Sequence, residues 1–188
     1  MIIAAFAGVG KTKLAELYPQ KVVDFCCMPY KYVLDEDEPF TEENKANLSL
    51  EFIFGWQKNY VKAIKQNMSN DKILLIPSDF IVLALLKKEG IPYILCYPKR
   101  DAKEVYHKHF LNRGNSENFI DIFIGGWDKF IDALENDCYG RHIVLEAQQF
   151  LSDVINVDAL LAYTANNVNE IKTIPAEVAA LIFEEQSI

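Results

Sequence analysis

Ala5-Phe6-Ala7-Gly8-Val9-Gly10-Lys11-Thr12 is the stretch that decides how this chain is read. It follows an apolar run, Met1–Phe6, with the pattern of a fully buried strand. It opens onto Lys11–Tyr18, which has the pattern of a helix closed by Pro19. A strand, a glycine turn and a helix in that order can aim several backbone N–H groups at one point. Gly8 and Gly10 let the chain curl inward. The helix beginning near Lys11 adds its positive end. Lys11 brings a mobile point charge, and the Thr12 hydroxyl is a ligand suited to Mg²⁺. A chain of phosphates fits such a cradle, so Ala7, Gly8, Val9, Gly10, Lys11, Thr12 and Lys13 are the candidate phosphate-binding residues. The plain alternative is a glycine turn followed by an incidental Lys-Thr.

Outward from this loop, short apolar runs alternate with helical patterns. Lys21–Cys26, Lys72–Ile76, Ile91–Tyr97 and His142–Leu145 read as further strands. Gln57–Gln66, Phe80–Lys88, Ala102–Asn112, Glu117–Phe123, Trp127–Asn136 and Pro175–Glu185 read as helices, with Gly90 and Gly114 as stops. Alternation of this kind predicts an α/β domain with a parallel sheet and helices on both faces. Ligands in such sheets sit beyond the carboxyl ends of the strands. Pro29 to Phe54 breaks the alternation. It is acidic and aperiodic, with Asp35-Glu36-Asp37-Glu38 at its middle, and reads either as a solvated loop or as a flap spanning 29–56.

Composition sets the outer bounds. The chain has 188 residues, about the size of one domain over 1–188, and 51% of them are hydrophobic, enough for a large core. The net charge of −8 disfavours general binding to nucleic acid. There is no apolar run of membrane-spanning length and no basic, cleavable leader pattern, so no membrane partner is expected and a cytoplasmic location is. Cys26, Cys27, Cys96 and Cys138 form no C-x-x-C pair and read as reduced thiols. Oligomeric state is open.

The opening motif resembles the Walker A phosphate loop, [A/G]-x-x-x-x-G-K-[S/T], with Ala5 where a first glycine is more usual. In size and order of elements, over roughly residues 1–146, the chain resembles small P-loop kinases of the nucleoside monophosphate, shikimate and gluconate kinase type. It also resembles P-loop proteins of bacteria and their phages that have no assigned acceptor. The resemblance implies a three-layer αβα fold whose five parallel strands are ordered 2-3-1-4-5. It further implies ATP and Mg²⁺ as cofactors, a small-molecule acceptor, an acceptor flap and an arginine-bearing lid near 100–126. Residues 147–188 lie beyond the matched layout and read as a helical extension that packs on the domain or on a partner.

Carried over residue by residue, the resemblance gives Asp24 the place of the carboxylate that contacts the acceptor hydroxyl; a turn or cap is its other reading. Asp79 stands near the Walker B acid, but Pro77 and Ser78 intervene, so it reads either as a metal contact beside Thr12 or as the N-cap of the next helix. Arg113 and Arg100 are the candidate lid arginines, alongside Lys11 as the catalytic cation. Arg141, before the fifth strand, reads as structural. Trp56, Tyr60 and Phe52-Ile53-Phe54 read as core aromatics or as the wall of an acceptor pocket. The expected function is therefore transfer of a phosphoryl group from ATP to a nucleotide or nucleoside. A regulatory nucleotide-binding module and a simple ATPase are the alternatives.

Overall fold

The computed structural model describes residues 1–33, 51–167 and 173–183. The acidic run 35–38, the middle of the 29–56 flap and parts of the 147–188 extension lie outside the described residues.

Five strands form one sheet: β1 (Ile2–Ala5), β2 (Val22–Asp24), β3 (Ile73–Pro77), β4 (Ile94–Pro98) and β5 (Arg141–Leu145), ordered β2-β3-β1-β4-β5. Every pairing is parallel. Ile3 stands opposite Leu75 on one side and Ile94 on the other. Each strand returns through a helical crossover, which covers both faces and explains why β1, β3 and β4 are apolar runs without alternation. The expected α/β architecture and strand order are those observed.

The helices are α1 (Lys11–Leu17), α2 (Met28–Lys31), α3 (Trp56–Asn67), α4 (Phe80–Lys88), α5 (Lys103–Asn112), α6 (Glu117–Ile120), α7 (Trp127–Glu135), α8 (Leu151–Val154), α9 (Val157–Asn167) and α10 (Ala176–Ile182). Two differences from the sequence reading bear on the site. The run Glu117–Phe123 is not one helix. After α6 the chain widens into a π-helical turn over Asp121–Gly125. Secondly, α2 forms inside the stretch read as aperiodic, with Pro29 in its first turn, where a missing N–H costs nothing. Beyond α2, Tyr32 and Phe52 pair as an isolated antiparallel bridge.

The extension folds back on the domain. The Leu151 N–H donates to the Val9 carbonyl at 2.9 Å, and within the extension the Asn156 N–H donates to the Ile182 carbonyl at 2.8 Å and Ile155 bridges Phe183. Ala179, Ile182 and Phe183 are buried in the common core, whereas Leu181 of the same helix is 69% exposed. Among the described residues, no helix is long and apolar enough to cross a membrane.

Candidate functional site

The carboxyl ends of β1, β2 and β3 meet around one loop. Ala5 still belongs to β1, pairing with Pro77 and Cys96, so its extended backbone has no need of a glycine. The turn falls to Gly8 at φ +83° and Gly10 at φ +89°, left-handed values that disfavour any side chain. Space is short as well. A Cβ on Gly8 would lie 2.8 Å from the Phe110 ring, too close without a shift, and one on Gly10 would be tight at 3.3 Å from Phe150.

Phe6, between the strand and the turn, is fully buried as an aromatic hub. Its ring meets Phe123 and Trp127 edge-on at 5.5 Å, and Tyr106 and Phe130 at 6.2 and 6.1 Å. The segment 100–126 therefore does more than hang over the loop. Its Tyr106 and Phe123, together with Trp127 and Phe130 of α7, clamp the loop's base.

Lys11 curls back into the turn, donating to the Ala5 carbonyl at 3.1 Å and the Phe6 carbonyl at 2.9 Å. Burial lowers its pKa, and the Asp24 carboxylate is the strongest opposing influence. Next to it, the Thr12 hydroxyl donates to Asp24 Oδ2 at 2.7 Å. Lys11, Thr12 and Asp24 thus converge, although twelve residues separate the second from the third. Val9 is buried and its carbonyl accepts from the Leu151 N–H at 2.9 Å, which ties the loop to α8. Ala7 is half-buried. Lys13 faces solvent, 3.7 Å from Glu16.

The remaining candidates separate. Asp79 caps α4: its Oδ1 accepts from the Ile81 and Val82 N–H groups, both at 3.0 Å. Arg113, at the C-terminus of α5, stands close enough to Lys11 and His109 to disfavour the protonated form of each. Arg100 is engaged elsewhere. Its guanidinium donates to Asp132 at 2.6 Å and Glu135 at 2.7 Å and reaches Asp128 at 3.5 Å, all on α7. Arg141 lies over the Phe183 ring at 5.2 Å. Trp56 and Tyr60 are buried core, while Phe54 is 97% exposed.

A cavity of about 290 Å³ opens beside Gly8, lined by Val105, Tyr106 and His109 of α5 and by Ala147, Gln148 and Phe150 after β5. The His109 and Phe150 rings stand 5.8 Å apart, tilted by 47°. Burial, aided by Arg113, lowers the His109 pKa and favours its neutral ring. An apolar slot with one amide and one neutral imidazole suits a flat heterocycle. Sequence reasoning missed this cavity. Its walls come from two segments some forty residues apart, and their only shared sequence signal is position after neighbouring strands.

No protein-family model matches the chain, and no curated protein matches it.

Proposed function

We propose that this chain is a Mg²⁺- and ATP-dependent phosphotransferase acting on a small molecule, a nucleotide or nucleoside. The observation that carries the reading is the convergence of Lys11, Thr12 and Asp24 on the left-handed Gly8–Gly10 loop at the carboxyl end of the sheet.

In this reading the Walker A resemblance describes the loop's purpose. The loop amides and the Lys11 ammonium hold the donor phosphates. Lys11 gives up its bonds to Ala5 and Phe6 and exchanges two neutral carbonyls for anionic oxygens, a stronger kind of partner. The cavity beside Gly8 receives the donor base between His109 and Phe150. Thr12 Oγ1 and Asp24 Oδ2, two hard oxygens 2.7 Å apart, suit Mg²⁺, which takes one or two protein oxygens and fills its shell with water and phosphate. When bound, the ion supplies neutralisation of phosphate charge. Asp24 orients the acceptor hydroxyl and accepts its proton, and Arg113 approaches the transferred group. Positioning and charge do most of the work in such a site. A cytoplasmic location accords with this substrate class.

A regulatory nucleotide-binding module is the second reading. Asp79 favours it, because an oxygen committed to capping α4 is less available to a metal. Against it, Ala179 and Ile182 of α10 are buried in the chain's own core, which leaves Leu181 as the exposed apolar residue of that helix. The test is ADP release from Mg²⁺-ATP with nucleosides, nucleotides and small hydroxy-acids, alongside Lys11→Ala. Release stimulated by an acceptor and lost in the variant supports transfer. Tight ATP binding without stimulated turnover supports the module.

A further inference from the structure

The phosphate loop is held from outside by the segment that follows β5. Glu146 and Gln149 close a turn there. The Gln149 N–H donates to the Glu146 carbonyl and the Glu146 N–H to Gln149 Oε1, both at 3.0 Å. Phe150 then runs extended, at φ −120° and ψ +167°, into α8. Asp153 fastens this entry, since its Oδ2 accepts from the Phe150 N–H at 2.8 Å. Leu151 is the first residue of α8, so its N–H has no carbonyl to meet inside the helix. It meets the Val9 carbonyl instead, at 2.9 Å. Val9 and Leu151 are both fully buried, and breaking this bond would strand two polar groups away from water.

The bond fixes the direction of one peptide unit. A trans peptide is planar, so the Val9 carbonyl and the Gly10 N–H point in opposite directions. A carbonyl held by α8 therefore turns the Gly10 N–H away from α8, and among the described residues no carbonyl accepts from it. Gly8 and Gly10 flank Val9, both with left-handed φ. Glycine reaches other φ values at little cost, so the loop alone does not hold this peptide plane against rotation. Phe150 adds a second restraint. Its Cβ lies 3.3 Å from the place a Gly10 Cβ would take. Two consecutive residues of the extension, one by its side chain and one by its N–H, hold the same peptide.

Resting on the phosphotransferase reading and its phosphate loop, we infer that Leu151 is a positioning residue for nucleotide binding: its backbone N–H sets the Val9–Gly10 peptide so that the Gly10 N–H faces the donor phosphates. The start of the extension is then part of the donor site. The bond acts through population. Where the peptide is free to rotate, apparent affinity falls with the fraction of molecules that hold it in the binding form. The coupling is reciprocal, so bound phosphate in turn holds the Leu151 N–H on Val9.

The experiment uses the full chain and two ligands, ATP and inorganic tripolyphosphate. The second carries phosphates without a base and so reads the loop apart from the cavity that Phe150 lines. Leu151→Pro removes the N–H and puts a ring carbon in its place. Proline is tolerated at the first position of a helix, and the extended Phe150 suits the residue before it. Leu151→Val trims the side chain to a similar size and keeps the N–H. Both variants are titrated by calorimetry at a temperature at which they are fully folded. Affinity for both ligands should be at least roughly fivefold weaker in Leu151→Pro than in Leu151→Val, the scale of one backbone hydrogen bond. Equal tripolyphosphate affinity in the two variants overturns the inference and leaves the bond a purely structural one. A loss confined to ATP also overturns it, by moving the effect to the base cavity, and so does a wild type that binds ATP but not tripolyphosphate. Should Leu151→Pro fail to fold, amide hydrogen exchange on the wild type decides. Tripolyphosphate should slow exchange at Leu151 several-fold more than at Asn156, whose N–H donates to Ile182 inside the extension. Equal slowing at both amides overturns the inference. A wild type that binds neither ligand overturns the phosphotransferase reading itself.

Discussion

The Thr12 hydroxyl donates a 2.7 Å hydrogen bond to Asp24 Oδ2, joining the first turn of α1 to the end of β2. Thr12 is exposed and Asp24 half-buried, so the bond itself contributes little to folding, about 0.5–1.5 kcal/mol at most. What it fixes is direction: two oxygens face the same point, next to the Lys11 ammonium. Asp24→Asn should keep the fold and the bond partner while losing the negative charge and the base. Turnover should fall roughly 10²- to 10⁴-fold, with thermal stability nearly unchanged. Thr12→Ser should retain activity, whereas Thr12→Val should weaken the Mg²⁺ dependence of nucleotide affinity. Steady-state kinetics and nucleotide titrations with and without Mg²⁺ check both, and a large fall in the melting midpoint of Asp24→Asn would reassign the pair to structure.

Much of this arrangement is legible in the sequence, because its determinants are local. Apolar runs punctuated by Gly and Pro mark strands that are buried on both faces, and the loop motif lies within eight consecutive residues. What escaped reading depends on chain segments meeting in space. Asp128, Asp132 and Glu135 recur at helical spacing on α7, an acidic stripe that in hindsight signals a cation across from it; only the fold shows that cation to be Arg100. Likewise His109 and Phe150 share no motif and meet only because α5 and the segment after β5 flank the same glycine.

Lys11 combines a binding role with a folding cost. Burial lowers its pKa from the ordinary lysine value of 10.5, so the folded chain holds this proton less well than the unfolded chain does. The cost is fully present below the lowered folded-state value and is relieved as pH rises from that value towards 10.5. Lys11→Met should therefore raise the melting midpoint of the nucleotide-free protein at pH 7, by about 2–4 °C for each kcal/mol relieved. The gap from wild type should close as pH approaches 10.5. The same variant should bind nucleotide roughly 10- to 100-fold more weakly, the range for a lost hydrogen bond to a charged group. Thermal denaturation across pH, paired with titration calorimetry, reads both effects, and a midpoint that falls at pH 7 would contradict the argument.

The cavity beside Gly8 makes a separate claim about the donor. Phe150→Ala removes one aromatic wall and should weaken nucleotide binding by about 1–3 kcal/mol, with kcat at saturating nucleotide retained. His109 adds a pH term. Its pKa is lowered by burial and by Arg113, so its stabilising contribution is complete above 6.5 and is lost as pH falls through the lowered value. His109→Gln should flatten the acid side of the stability profile. Equal acid sensitivity in wild type and variant would show that His109 is not the group responsible.

The two arginines of the 100–126 segment should separate by what each variant disturbs. Arg100 is held by Asp128, Asp132 and Glu135, and its own carbonyl accepts the Trp127 indole N–H at 2.9 Å, so it joins the end of β4 to α7. Arg100→Lys keeps a charge but cannot span three carboxylates, and it should lower the melting midpoint slightly while leaving kcat unchanged. Arg113 is exposed at the end of α5, beside Gly114 at φ +67°, and its charge already reaches Lys11. A planar fork positioned there can meet charge that develops on the transferred group, whereas a lysine presents only a point. Arg113→Lys should therefore lower kcat, by up to roughly 10³-fold if it stabilises the transition state as arginines do in comparable transfers, with the melting midpoint unaltered. Measuring kcat and melting on both variants decides the assignment: loss of rate with Arg100→Lys and none with Arg113→Lys would move the role to Arg100 and require its three carboxylates to release it during turnover.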